Sequence, residues 1–236
     1  KAIQAIEAGK APADWAPFKS KDDALGYLYY SVGYLERTSN TTDALANFIK
    51  AAQFDSEIKK NPQTYVFITA AYESEYAKQS ADYERLYKDK DETAESKLAV
   101  ANINQLVDRI IDSLARAVAN AGSDAPAQAS KAQWLARLTE LYKFRHNNSD
   151  AGLNEMIASV MSKPLPPVPT PLTTLPPAAP TTSSTPATGA NTTGSTAAPG
   201  AAAPSAVKTT TAPKTAAETA TTKPAPKPKN NHRRQD

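Results

Sequence analysis

The chain has no cysteine, only two histidines, and not one phenylalanine, tryptophan or tyrosine in its last 74 residues. Without cysteine there are no disulfides, no thiolate nucleophile and no thiolate metal site. His146 falls in a predicted turn and His232 near the end of the chain, so the pair does not supply the usual transition-metal ligands. No apolar run approaches the ~20 residues that span a bilayer. A glycine-rich phosphate loop and a serine in a nucleophile elbow are also missing. The acidic residues Asp82, Glu84, Asp89, Asp91 and Glu92 alternate with Lys88 and Lys90 and lack the glycine and terminal glutamate of a calcium loop, so they read as a solvated turn. The expectation is a protein that is not an enzyme and holds no cofactor and no metal.

What is present divides sharply at residue 163. Residues 163–236 contain 17 Thr, 15 Pro, 15 Ala and 4 Ser, a composition that cannot bury enough apolar surface to offset the entropy of ordering. Eight basic residues against Glu218 and Asp236 leave this tail at +6, while 19 basic and 22 acidic residues leave residues 1–162 at −3. A mildly acidic head with a basic tail is not the electrostatic footprint of a nucleic-acid-binding domain. The domain reading is a folded head over 1–162 and an extended low-complexity tail over 163–236.

Within the head the periodicity is helical throughout, and no stretch alternates as a strand does. Residues 1–9 read as a short amphipathic helix ended by Gly9, with Ile3 and Ile6 on one side. Ser20 is a candidate N-cap followed by Asp22 and Asp23, which complement the helix dipole. One helix is predicted over about 64–87, carrying Tyr72, Tyr76, Tyr83 and Tyr87 along one stripe. Its partner begins near Thr93 or Glu95. These tyrosines either pack against Leu98, Ile103 and Leu106 or meet a partner subunit or sugar rings, because tyrosine joins apolar area to a polar tip.

Three hairpins share a spacing, at about 21–56, 63–121 and 130–163. In the first, Tyr27, Tyr30 and Tyr34 precede Ala44, Phe48 and Ala51. In the second, Tyr65, Ile68 and Tyr72 precede Ile110, Leu114 and Ala117 after a long insertion. In the third, Leu135, Leu138 and Tyr142 precede Gly152, Met156 and Ser159, and Pro164 follows. Small residues belong where two helices cross closely, and large ones fill the groove beside the crossing. This pattern resembles the tetratricopeptide repeat over about residues 24–164. Ser56 stands where the first hairpin would carry the closing proline, and Ile110 is large where the family is small. The resemblance implies an all-α fold, a right-handed array of about three hairpins with the middle one elongated.

Three Asn-x-Ser/Thr triplets, at Asn40, Asn147 and Asn191, are N-glycosylation candidates. The first two lie in the turns of hairpins one and three, which fall on one edge of a stacked array; they are equally good turn and cap residues. The tail opens as Pro164-Leu165-Pro166-Pro167-Val168-Pro169, expected to be polyproline II. Thr170, Thr173, Thr174, Thr181, Thr182, Ser183, Ser184 and Thr185 are O-glycosylation candidates in a stalk-like composition, whose alternative is a bare linker. The basic end, Lys223 to Arg234, suits an anionic cell-surface polymer or lipid head groups, or simply keeps the tail soluble.

The first residue, Lys1, is read as the start of either a mature secreted product or a fragment, and the tail favours the former. After Met161 no polar helix closes the array, so an open end is expected to meet the start of another copy, head to tail. Leu165, Val168, Leu172 and Leu175 are then expected to lie along that neighbour. The leading expectation is an extracellular glycoprotein that polymerises into a fibril, with itself and its covalent glycans as partners, no nucleic acid and no membrane span. The alternative is a monomeric exported or envelope-tethered adaptor for a peptide or protein. A large exposed apolar patch at the last hairpin favours the first, and a last-hairpin face covered by the tail or by residues 1–18 favours the second.

Overall fold

Local capping sets the helix boundaries. In the computed structural model, which describes residues 1–10, 12 and 14–175, the Ser20 side chain accepts the Asp23 N–H at 3.1 Å and starts α2, Lys21–Glu36. Asn40 does the same for Asp43 at 3.2 Å and starts α3, Thr41–Gln53. Before these, α1 spans Ala2–Glu7 and ends towards Gly9 at φ +79°, as expected. A short α4, Glu57–Lys60, follows, and Asn61-Pro62 opens α5, Pro62–Tyr87. Thr93 and Ser96 cap each other reciprocally at the start of α6, Ala94–Ala119. Asp124 accepts from Ala127 N–H and starts α7, Ala125–Arg145, several residues earlier than the sequence pattern placed it. Last come α8, Leu153–Ser159, and a 3₁₀ turn, Val160–Ser162. Among the described residues there is no strand, and the fold is all-α.

Successive long helices pack side by side: α2 on α3, α3 on α5, α5 on α6 and α6 on α7. Cross-links show the antiparallel sense. Thr69 and Ser113 share a buried hydroxyl hydrogen bond of 2.7 Å between α5 and α6. Arg145 on α7 grips Asp108 on α6 at 2.7 and 3.1 Å, and Arg137 reaches back to Glu73 on α5 at 3.1 Å. The main core runs from Phe48 through Tyr65, Ile68 and Tyr72 to Val107, Ile110 and Leu114, and on to Leu138 and Leu141. Leu25, Tyr29, Ala51 and Ile58 form a smaller cluster, on which Ile3 and Ile6 of α1 sit, so residues 1–7 close that end.

Most of the residues assigned to hairpin packing are inside. Ala44, Phe48, Ala51, Tyr65, Ile68, Tyr72, Ile110, Leu114, Ala117, Leu138 and Tyr142 are buried, and Tyr30, Leu135 and Met156 pack partly buried against the core. Four behave differently. Tyr27 and Tyr34 remain 49% and 37% exposed, and α2 instead presents Gly26, Tyr29 and Gly33 inward. The reason is close approach: a Cβ on Gly33 would lie 3.1 Å from the Ala44 carbonyl oxygen of α3, and one on Gly26 would lie 2.9 Å from Ser56 Cβ just before α4. Gly152 is exposed at φ +87° as the N-cap of α8, so it shapes a turn and fills no helix crossing. Ser159 is half-buried, its hydroxyl turned back onto the Glu155 carbonyl at 2.8 Å. The third pair also differs in kind, because α8 packs on α6 more than on α7.

Candidate functional site

One face of α6 turns Ile103, Leu106, Val107, Ile110 and Leu114 into the core. Beside it, Asn102, Arg109 and Arg116 recur at intervals of seven residues, which on a 3.6-residue helix makes a polar stripe along one side. That stripe holds residues 163–172. Arg116, with only 3% of its side chain exposed, pairs with Asp112 at 2.7 Å and donates to the carbonyls of Lys163 and Pro164 at 3.2 and 3.0 Å. Arg109 donates to the Pro167 carbonyl at 2.8 Å. Asn102 donates to the Leu172 carbonyl at 3.2 Å and accepts the Leu172 N–H at 2.7 Å. The segment thus forms a strap running antiparallel to α6. Seven helical residues rise about 10.5 Å and three to four residues of polyproline chain about 9–12 Å, which matches the first interval.

This corrects the expectation that Leu165, Val168, Leu172 and Leu175 lie along a neighbouring copy. Leu165 packs against the chain's own core, leaving a gap of only about 10 Å³ among Leu165, Pro166, Ile49, Ile68 and Tyr72. Leu172 is half-buried, whereas Val168 and Leu175 face outward, 48% and 42% exposed. The strap's anchors are side chains bonded to backbone carbonyls some 50 to 70 residues away, and neither partner carries a mark in the sequence pattern.

Next to the strap lies a cavity of about 510 Å³ between the start of α3, α5 and α6, with Val168–Pro171 as one wall. Thr41, Thr42, Ser74, Gln79, Asn102 and Gln105 give it hydroxyls and amides, Glu75 a carboxylate, and Leu45, Ala71, Tyr72 and Leu106 an apolar floor. A second cavity of about 270 Å³ continues past Gln79, Asn102 and Pro171 towards the tip of the α5–α6 pair. Tyr83 and Tyr87 line it with ring centres 5.4 Å apart. The tyrosine stripe therefore divides: Tyr72 and Tyr76 are in the core, and Tyr83 and Tyr87 are half-buried in this cleft. The hydroxyls of Tyr72 and Tyr76 are buried without a hydrogen-bond partner. Burial pushes the Tyr72 phenol up to about 12 and raises that of Tyr76.

Asn40 and Asn147 are both exposed. Asn40 caps α3, its amide nitrogen donating to Asp43 at 2.6 Å, and Asn147 turns at φ +51° just beyond α7. Thr170, Thr173 and Thr174 are exposed at the far end of the strap. Asn191, Thr181, Thr182, Ser183, Ser184, Thr185 and the basic run Lys223 to Arg234 lie outside the described residues. His146 stacks on Tyr142 with ring centres 3.8 Å apart. In the acidic turn, Asp82 pairs with Arg85 at 2.9 Å and Glu92 with Lys97 at 3.1 Å. Among the described residues no group of three or more His, Asp or Glu side chains is placed to hold a metal, and no helix is long and apolar enough to cross a membrane. Comparison with known proteins finds no matching family model, no matching curated protein and no matching solved structure.

Proposed function

We propose that this chain is a non-enzymatic, extracellular or envelope-tethered adaptor that binds an extended peptide in the groove between α3, α5, α6 and the strap. The carrying observation is the lining of that groove: amides and hydroxyls above an apolar floor, beside a helix that already grips extended backbone through Asn102. An extended peptide leaves N–H and C=O groups unpaired, and such side chains satisfy them while the floor takes apolar side chains. On this reading α2–α3, α5–α6 and α7–α8 are degenerate tetratricopeptide-like hairpins serving as scaffold, and the tail is the tether. Phe144 is the single large hydrophobic residue of α7 left exposed, which favours a binding role over end-to-end stacking.

A second reading, a glycan-covered fibril subunit, draws support from the exposure of Asn40, Asn147, Thr170, Thr173 and Thr174. The test pans the immobilised full chain against a displayed library of linear peptides and measures the selected peptides by calorimetry. Ser74→Trp, on the exposed rim of the groove, is expected to weaken binding at least tenfold with an unchanged circular dichroism spectrum. Failure to enrich any peptide, or binding indifferent to Ser74→Trp, overturns the adaptor reading. Fibrils seen by electron microscopy of the native material establish the second.

A further inference from the structure

The second cavity, past the end of the groove, has a chemistry of its own. Asp82 and Leu86, and Tyr83 and Tyr87, are each four residues apart on α5, so they turn one face into it, opposite Ala99 and Ile103 of α6. The Tyr83 and Tyr87 rings, with centres 5.4 Å apart, meet at 44° rather than lying flat on each other. Among the described residues that line the two cavities, the charged ones are Glu75 and Asp82, both acidic. Resting on the peptide-binding reading above, we infer that this second cavity is a specificity pocket for an arginine side chain of the bound peptide.

Size, lining and charge agree on that ligand. About 270 Å³ accommodates a long side chain, its methylenes along Leu86, Ala99 and Ile103 and its head between the rings and Asp82. A guanidinium is attracted to the electron-rich face of a tyrosine and pairs as a fork with a carboxylate, and a lysine ammonium lacks the fork. Asp82 already holds one guanidinium, that of Arg85 at 2.9 Å, in a pair where the Arg85 side chain is 67% and that of Asp82 53% exposed. So exposed a pair contributes little, and an incoming arginine displaces Arg85 at small cost. A sugar ring fits this lining less well. It needs amides free to bond its hydroxyls, whereas Gln79 donates to Glu75 at 2.9 Å and Asn102 is engaged by both backbone groups of Leu172.

The test probe is N-acetyl-arginine amide, titrated at low salt into the full chain carrying ring-¹³C tyrosine, with N-acetyl-citrulline amide as its uncharged match. Tyr83→Phe and Tyr87→Phe assign the two ring signals. The expected result is a saturable shift of both signals by the arginine amide and a response to the citrulline amide at least fivefold weaker. In Asp82→Asn the Kd for the arginine amide rises at least fivefold, with an unchanged circular dichroism spectrum because Asp82 is exposed. No shift with the arginine amide, or an equal shift with the citrulline amide, overturns the proposal whether or not the groove is found to bind a peptide. Peptides selected on the full chain that lose affinity in Ser74→Trp but are indifferent to Asp82→Asn also overturn it, and leave the groove reading standing. Ring signals that move when Arg233 and Arg234 are replaced by glutamine, with no arginine amide added, put the chain's own end in the pocket and overturn it as a partner's site.

Discussion

Tyr72 is a phenol held where its hydroxyl finds neither water nor a protein acceptor. A buried hydroxyl without a partner forfeits its hydration, so removing it costs nothing in lost hydrogen bonds. Tyr72→Phe is expected to leave stability at neutral pH unchanged or to raise it by up to about 1 kcal/mol in urea denaturation. The same burial fixes a pH dependence. Burial raises the phenols of Tyr30, Tyr65, Tyr72 and Tyr76, the Tyr72 value reaching about 12. The neutral form is therefore favoured in the fold, and the stability it confers is complete below the unfolded value near 10 and falls as pH climbs to about 12. Urea midpoints at pH 9, 10 and 11 should decline, and Tyr72→Phe should remove about 1 kcal/mol of the loss over that range. Periodicity placed Tyr72 and Tyr76 on one stripe of α5 and left open whether that stripe packs inward or meets a partner. The unpaired hydroxyls were not readable there, because what surrounds a phenol tip depends on α6 and on the strap.

At the scale of elements, α2 shows why a pattern can name the right helix and the wrong face. Tyr27, Tyr30 and Tyr34 share one side of the helix while Tyr29 stands with Leu25 on the other, and apolar periodicity favours the side with three tyrosines. Gly33 and Gly26, seven residues apart, decide it by letting α3 and Ser56 approach, and they carry no hydrophobic signal. Gly26→Ala gains about 1 kcal/mol of helix propensity but drives a methyl into the buried Ser56 side chain. A net loss of about 1–2 kcal/mol is expected in thermal melts. Adding Ser56→Gly should restore much of it, since that change clears the contact. The long α5–α6 pair was legible because its ends carry capping residues and its core face is continuous. The last pair was less so: α8 is only seven residues long, and its place on α6 comes from tertiary packing rather than from a helix that spacing alone could register.

Across the whole molecule, Arg116 joins the head to the strap. Arg116→Met strips Asp112 of its partner and leaves two carbonyls of the strap without a donor. Breaking a buried pair from one side is expected to cost about 3 kcal/mol in urea unfolding. Loosening should spread down the strap, with hydrogen exchange at the Leu172 amide at least ten times faster than in the unchanged chain. Composition separated the head from the proline-rich segment at residue 163, yet gave no sign that the first ten residues beyond that point lie back on α6. A stiff segment of backbone acceptors becomes a ligand only where donors stand at a matching interval. A helix turns about 100° per residue, so deleting one residue between Arg109 and Arg116 would swing one anchor out of line while every amino-acid type remained. Inserting seven would restore the alignment and require about 10.5 Å of additional strap, three or four residues. The lengths of α6 and of the segment after it are therefore bound together: either can grow only if the other grows in proportion.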